Sequence, residues 1–167
     1  PMWNIEKIRQ GLKSNWNYID GVMIKAVLQM YDVTKDEKYL KFADNFIDYR
    51  VHEDGTIDGY NIGEKNIDNV NAGKTLFELY DLTGKEKYRK AIDLVYSQIE
   101  IMPRCNNEAR SFWHKDIYPN QVWLDGMYMG QPFYLEYETK FNNRKNYPDI
   151  FAQFKYVIEN MKNPLNG

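Results

Sequence analysis

Residues 31–44 read YDVTKDEKYLKFAD, and residues 80–93 read YDLTGKEKYRKAID. Eight of these fourteen positions are identical at a shift of 49 residues. The stretch Glu136 to Tyr147, EYETKFNNRKNY, is a degraded third copy. Self-similarity at such a period marks stacked supersecondary units, each of which buries its apolar face against its neighbours.

Each copy has the same parts. A first amphipathic segment covers 19–31, 70–80 and 125–137. A polar turn follows with Thr34, Thr83 or Thr139, and a second amphipathic segment covers 36–50, 85–100 and 147–161. Ile92, Val95, Tyr96 and Ile99 form an apolar stripe at helical spacing. Glu37 and Glu86 stand three residues after Thr34 and Thr83, which predicts a capping box opening the second helix. No alternating strand pattern of useful length is present. Asp54-Gly55 and Asp58-Gly59 bracket a turn-rich link with room for a minor hairpin, and Asn142-Asn143 marks a polar turn. Pro103 and the polar stretch 104–111 break the chain before the third hairpin. The expected fold class is all-α, built from helical hairpin repeats in one domain over 1–167. Hairpins of this length assemble as an open solenoid or as a closed α/α barrel. Either way, equivalent helix starts lie at one end.

Composition narrows the function classes. The 167 residues carry a formal net charge of -2, so a uniformly basic nucleic-acid footprint is not expected. No apolar run is long enough to span a bilayer, so no membrane partner is expected. The single cysteine, Cys105, excludes an internal disulfide and has no base nearby to make it a nucleophile. That cysteine usage, with no apolar leader core at the N-terminus, gives a cytoplasmic expectation. There is no Cys/His cluster, no HExxH and no Gly-rich phosphate loop, so no metal and no cofactor is expected. Aromatic residues reach 16%. Large rings fill cores, and they also stack on the C–H faces of sugars, so this number alone leaves both readings open.

Counting back fourteen residues from the repeat threonines reaches Asp20, Asn69 and Asp125, with Asp68 beside Asn69. The plain expectation for Asp20 and Asn69 is helix N-capping. Asp125 has richer surroundings: residues 112–133 read FWHKDIYPNQVWLDGMYMGQPF. An aromatic surround favours the protonated carboxyl that a general acid needs, whereas a helix N-terminus favours the charged form. His114 is either a hydrogen-bonded structural residue or, with Lys115 adjacent, a binder of sugar hydroxyl or carboxylate.

Three stretches resemble the unsaturated rhamnogalacturonyl hydrolases and the related unsaturated glucuronyl hydrolases. They are NWNYIDG at 15–21, NIDNVNAGKTLFELYDLTGKEKY at 66–88, and the 112–133 segment, where WHK followed by WLDGMYM is the most specific. The resemblance implies an (α/α)6 barrel of six hairpins, of which this chain supplies about half. It implies an unsaturated oligosaccharide substrate ending in a 4,5-unsaturated uronic acid, with water added across the C4=C5 enol ether and no metal or organic cofactor. Carried over position by position, it makes Asp125 the general acid/base and has Asp68 hold sugar hydroxyls or support the chemistry. Tyr18, His114 and Trp123 line the site. Three hairpins fall short of six, so completion by a C-terminal half or by a second chain is expected. The competing expectations are a non-catalytic helical module binding carbohydrate or protein, and a different α/α-barrel enzyme such as an epimerase or ordinary glycosidase.

Overall fold

The computed structural model describes residues 15–165. The ends of the expected 1–167 domain, residues 1–14 and 166–167, lie outside the described residues. The architecture is all-helical: α1 (Tyr18–Thr34), α2 (Glu37–Asp48), the short α3 (Ile67–Val70), α4 (Lys74–Thr83), α5 (Glu86–Ile101), α6 (Leu124–Phe141) and α7 (Tyr147–Asn160). A 3-10 turn over Asn71–Gly73 joins α3 to α4. The hairpins are α1 with α2, α4 with α5, and α6 with α7. The α3–α4 segment packs between α1 and α6, so the first helices of the three hairpins form one row. The second helices stand behind them.

The core sits between the two rows. Ile24 and Leu28 of α1, Leu76 and Phe77 of α4, Ile92 and Val95 of α5, and Phe133 of α6 are fully buried. Each such side chain contributes about 1.5–3 kcal/mol by leaving water. The rings of Phe77 and Phe133 meet at 5.1 Å between centroids. Polar links tie the second helices to one another and to the front row. Lys85 Nζ lies 2.7 Å from carboxylate oxygens of both Asp44 and Asp48, and Tyr96 donates to the buried Glu138 at 2.8 Å.

The repeat fixes where helices end and start, but not by the expected capping box. Thr34 is the last residue of α1 and donates to the Met30 carbonyl, while its oxygen accepts from the Asp36 N–H. Thr83 does the same at the end of α4. The residue that caps α2 is Asp36, which accepts from the Lys38 N–H at 3.0 Å. Glu37 and Glu86 turn instead to the hydroxyls of Tyr31 and Tyr80. Thr34 is still a helical residue of α1, so its oxygen reaches only the Asp36 N–H, and the extended position that opens α2 falls to Asp36.

The other expected caps also move. Asn17 caps α1, accepting from the Ile19 N–H at 2.9 Å. Asp20 lies inside the first turn and is buried. Burial pushes its carboxyl up, against the opposing charge of Arg50. Asn69 falls within α3, whose cap is Asn66. The second copy's first helix is broken at 71–73 because α1 crosses there. A Cβ on Gly21 would stand 2.7 Å from the Ala72 backbone. Tyr18 O accepts from Asn71 Nδ2, and Asn69 O from the Trp16 indole, both at 2.9 Å.

The link between α2 and α3 carries the minor hairpin. Val51 pairs with Ile57 antiparallel, and Gly55 supplies the turn at φ 88°. His52 is exposed there and bonds Asp58.

Candidate active site

The starts of α1, α3 and α6 gather at one end of the front row, as the repeat register requires. What brings the α3 start to the 112–133 segment is a short antiparallel pairing. Asn66 bridges with Lys115, Ile67 N donates to His114 O at 3.0 Å, and Asp116 N donates to Lys65 O at 3.2 Å. This pairing sets Asp68 directly against two side chains of the later segment, His114 and Lys115. Asp68 Oδ1 lies 3.0 Å from His114 Nε2, and Oδ2 lies 2.6 Å from Lys115 Nζ. Burial pushes the Asp68 carboxyl up, but the hydrogen bonds and charges of His114 and Lys115 outweigh it. They hold Asp68 below the ordinary carboxylate value. Asp68 is therefore a fixed anion, and Lys115 is committed to it.

His114 is buried, its side chain only 1% exposed. Its imidazole stacks on the Trp123 indole, and the Tyr118 ring stacks on the same indole at 5.2 Å. Trp123 keeps 38% of its surface exposed. Its Nε1 donates to Gln121 at 3.0 Å. Below Trp123, the α6 backbone presses on His114. A Cβ added to Gly126 would meet His114 Nδ1 at 2.7 Å, so only glycine fits one residue after Asp125.

Asp125 itself is exposed in the first turn of α6. Its Oδ1 accepts a hydrogen bond from the Gly126 N–H at 2.8 Å. It thus differs from Asp68 in the way an acid/base group must differ from a structural anion: it is reachable, and among the described residues no cation is fixed on it. Tyr18, at the first position of α1, is 42% exposed at the same end. The fold joins Asp68, His114, Gly126 and Asp125 through consecutive contacts, with Trp123 above them. Lys115 and Gly126 emerge from the geometry as site residues. Lys115 had a sequence signal only as a neighbour of His114, and Gly126 only as a residue of WLDGMYM. Among the described residues, no group of three or more His, Cys, Asp or Glu could hold a metal ion.

Residues 2–167 match Glycosyl Hydrolase Family 88. The chain belongs to that family. The solved structure of a glycoside hydrolase from family 105 of C. acetobutylicum ATCC 824 is similar, with 43% sequence identity and a TM-score of 0.87. The similarity covers 96% of this chain and 44% of that one, so the family 88 chain described here spans less than half of that protein. Its three hairpins are accordingly part of an (α/α)6 barrel. No helix among the described residues is long and apolar enough to cross a membrane.

Proposed function

We propose that this family 88 chain carries the acid/base half of a hydrolase that removes a 4,5-unsaturated uronic acid from the non-reducing end of an oligosaccharide. The observation that carries this reading is the contrast between two carboxylates at one helix end. Asp125 is exposed two residues after the partly exposed Trp123, and Asp68 is paired with His114 and Lys115.

The chemistry needs one reachable carboxyl. Asp125 protonates C4 of the enol ether, and the positive charge that develops at C5 is shared with the ring oxygen. The same group, now a carboxylate, takes a proton from the water that attacks C5. The product is a hemiketal, which opens and releases the leaving sugar. This differs from direct displacement at the anomeric carbon, which uses two carboxyl groups on opposite sides of the bond. Asp68 serves as a fixed acceptor for sugar hydroxyls. Trp123 and Tyr18 line the site, and His114 acts from beneath Trp123. A rhamnogalacturonan disaccharide, derived from pectin, is the preferred substrate. Other unsaturated uronides are the alternatives.

Completion of the barrel is part of the same proposal. Phe151 and Ile158 of α7 are 57% and 64% exposed, and Ile19 and Val22 of α1 are each 48% exposed. Those two edges are where further hairpins, from a C-terminal half or a second chain, would pack. The buried free thiol of Cys105 fits the proposed cytoplasmic setting.

The test is loss of the ultraviolet absorbance of an unsaturated rhamnogalacturonan disaccharide, with this chain and with one carrying the rest of a six-hairpin barrel. Loss that vanishes in Asp125→Asn, while sugar binding persists, is the expected result. Equal loss in Asp125→Asn, or none in either chain with any unsaturated uronide, overturns the reading.

A further inference from the structure

Pro132 lies inside α6 and has no N–H, so the carbonyl of Tyr128, four residues earlier, has no helical donor. That carbonyl is not left bare. Lys74 Nζ, at the first position of α4, donates to Tyr128 O at 3.0 Å and sits 3.9 Å over the Tyr128 ring. Lys74 has no carboxylate partner among the described residues. Its cation is instead spent on one backbone oxygen and one aromatic face.

The placement matters because of what lies on each side. The part of α6 before Pro132 carries Asp125, Gly126 and Tyr128, and a proline weakens the coupling of that part to the rest of its helix. Its direction must then be set by what it touches. Gly126 and Gly130 rest against His114 and Ile67, and Lys74 grips Tyr128. Lys74 stands six residues after Asp68 on the continuous α3–α4 segment. One side chain therefore ties the turn holding Asp125 to the segment holding Asp68. Tyr128 is three residues past Asp125, so the grip acts about 5 Å along the axis from the acid/base group.

We infer that Lys74 is a positioning residue, which fixes Asp125 relative to Asp68 by supplying the hydrogen bond that Pro132 removes from α6. This rests on the hydrolase reading for its kinetic consequence, but not for its structural one. Lys74 touches no reacting atom.

The test uses Lys74→Met, which keeps the apolar stem and deletes the donor, with Lys74→Arg, Pro132→Ala and the Lys74→Met/Pro132→Ala double variant. Pro132→Ala gives Tyr128 O an N–H from its own helix. In Lys74→Met, hydrogen exchange of the α6 amides from Met127 to Gln131 should quicken at least about ten-fold. On whichever chain is active in the absorbance assay, kcat should fall roughly 10- to 100-fold, the cost of misplacing a catalytic group by about an ångström, with KM within about two-fold. Lys74→Arg and the double variant should return both readouts toward wild type. Unchanged exchange in Lys74→Met overturns the inference. So does a defect that Pro132→Ala fails to relieve, or one seen in KM alone, which would mean that Lys74 binds substrate. If no chain turns over, the hydrolase reading fails by itself, and the exchange data still decide whether the clamp exists.

Discussion

The imidazole of His114 lies parallel to the indole of Trp123, with ring centroids 4.2 Å apart and 10° between the planes. The same imidazole holds Asp68 by Nε2, so one buried ring supports both the aromatic face and the fixed anion of the site. Replacing it removes both supports at once. His114→Ala should cost about 2–4 kcal/mol, the sum of a cavity under Trp123 and a buried carboxylate deprived of a donor. Urea unfolding measures that cost. The companion variant Trp123→Leu keeps the His114–Asp68 bond and should cost less, because Trp123 is partly exposed; an equal cost would show that the stack, not the bond, carries the energy.

Asp68 gives a pH signature. Its folded carboxyl titrates below the ordinary value of 3.8, so in the window between its folded value and 3.8 the unfolded chain binds the extra proton. Stability from this group is complete above 3.8 and is lost as pH falls through the folded value. The stability difference between wild type and Asp68→Asn should therefore be level at pH 5–7 and shrink on acidification below about 4. Chemical denaturation at a series of pH values reads it. A difference that grew on acidification would contradict the pairing with His114 and Lys115.

How much of this was legible in the sequence depends on how local the cause is. The helices follow from a 3.6-residue apolar period and a repeated turn, both contained within one copy, and their ends shift by only a few residues. The three-hairpin architecture follows from the repeat. The caps were misjudged because a threonine in a turn reads equally well as the end of one helix or the start of the next, and only the bond from Thr34 to Met30 O decides. The pairing of 65–67 with 114–116 has no local signature, since neither piece is strand-like and almost fifty residues separate them. That pairing assigns Lys115 to Asp68 and buries His114. The grip of Lys74 on Tyr128 spans 54 residues and was equally invisible, although Pro132 announced that one carbonyl would need a donor.

Gly126 makes a sharper steric prediction. A methyl group there meets His114 Nδ1 at 2.7 Å, and the ring cannot retreat without breaking from Asp68 or from Trp123. In an exposed helix interior, Gly→Ala gains up to about 1 kcal/mol. Here Gly126→Ala should lose about 1–3 kcal/mol instead, as overpacking does. The sign alone, from a thermal melt, tests the contact.

Lys74 supplies a second titration, in the alkaline range. Burial, with a smaller push from Lys25, pulls its ammonium down to about 8 from 10.5. Between those values the unfolded chain keeps a proton that the folded chain has released, so this group makes stability rise with pH. Below about 8 its buried charge weighs against the fold. The stability of wild type relative to Lys74→Met should climb from pH 8 to 10 and be flat from pH 6 to 7. A flat difference throughout would place the ammonium in water, away from Tyr128.

The two copies of the repeat also correct each other. Lys35 and Gly84 occupy the same position after α1 and α4, both left-handed, at φ 55° and 67°. Each gives its N–H to the carbonyl of the repeat tyrosine, Tyr31 or Tyr80, at 2.7 and 2.8 Å. The geometry is one that glycine adopts freely and that a side chain makes costly. Lys35 gains in return a fully exposed, solvent-screened ion pair with Asp32 and a distant contact with the Tyr31 ring. Lys35→Gly should therefore stabilise the chain by roughly 0.5–1 kcal/mol, despite the greater entropy glycine gives the unfolded state, and Gly84→Lys should destabilise it by about the same amount or more. Denaturant midpoints of the two variants check both signs. If Lys35→Gly were destabilising, the αL cap would not be the feature that ends α1, and the pair with Asp32 would have to hold the turn.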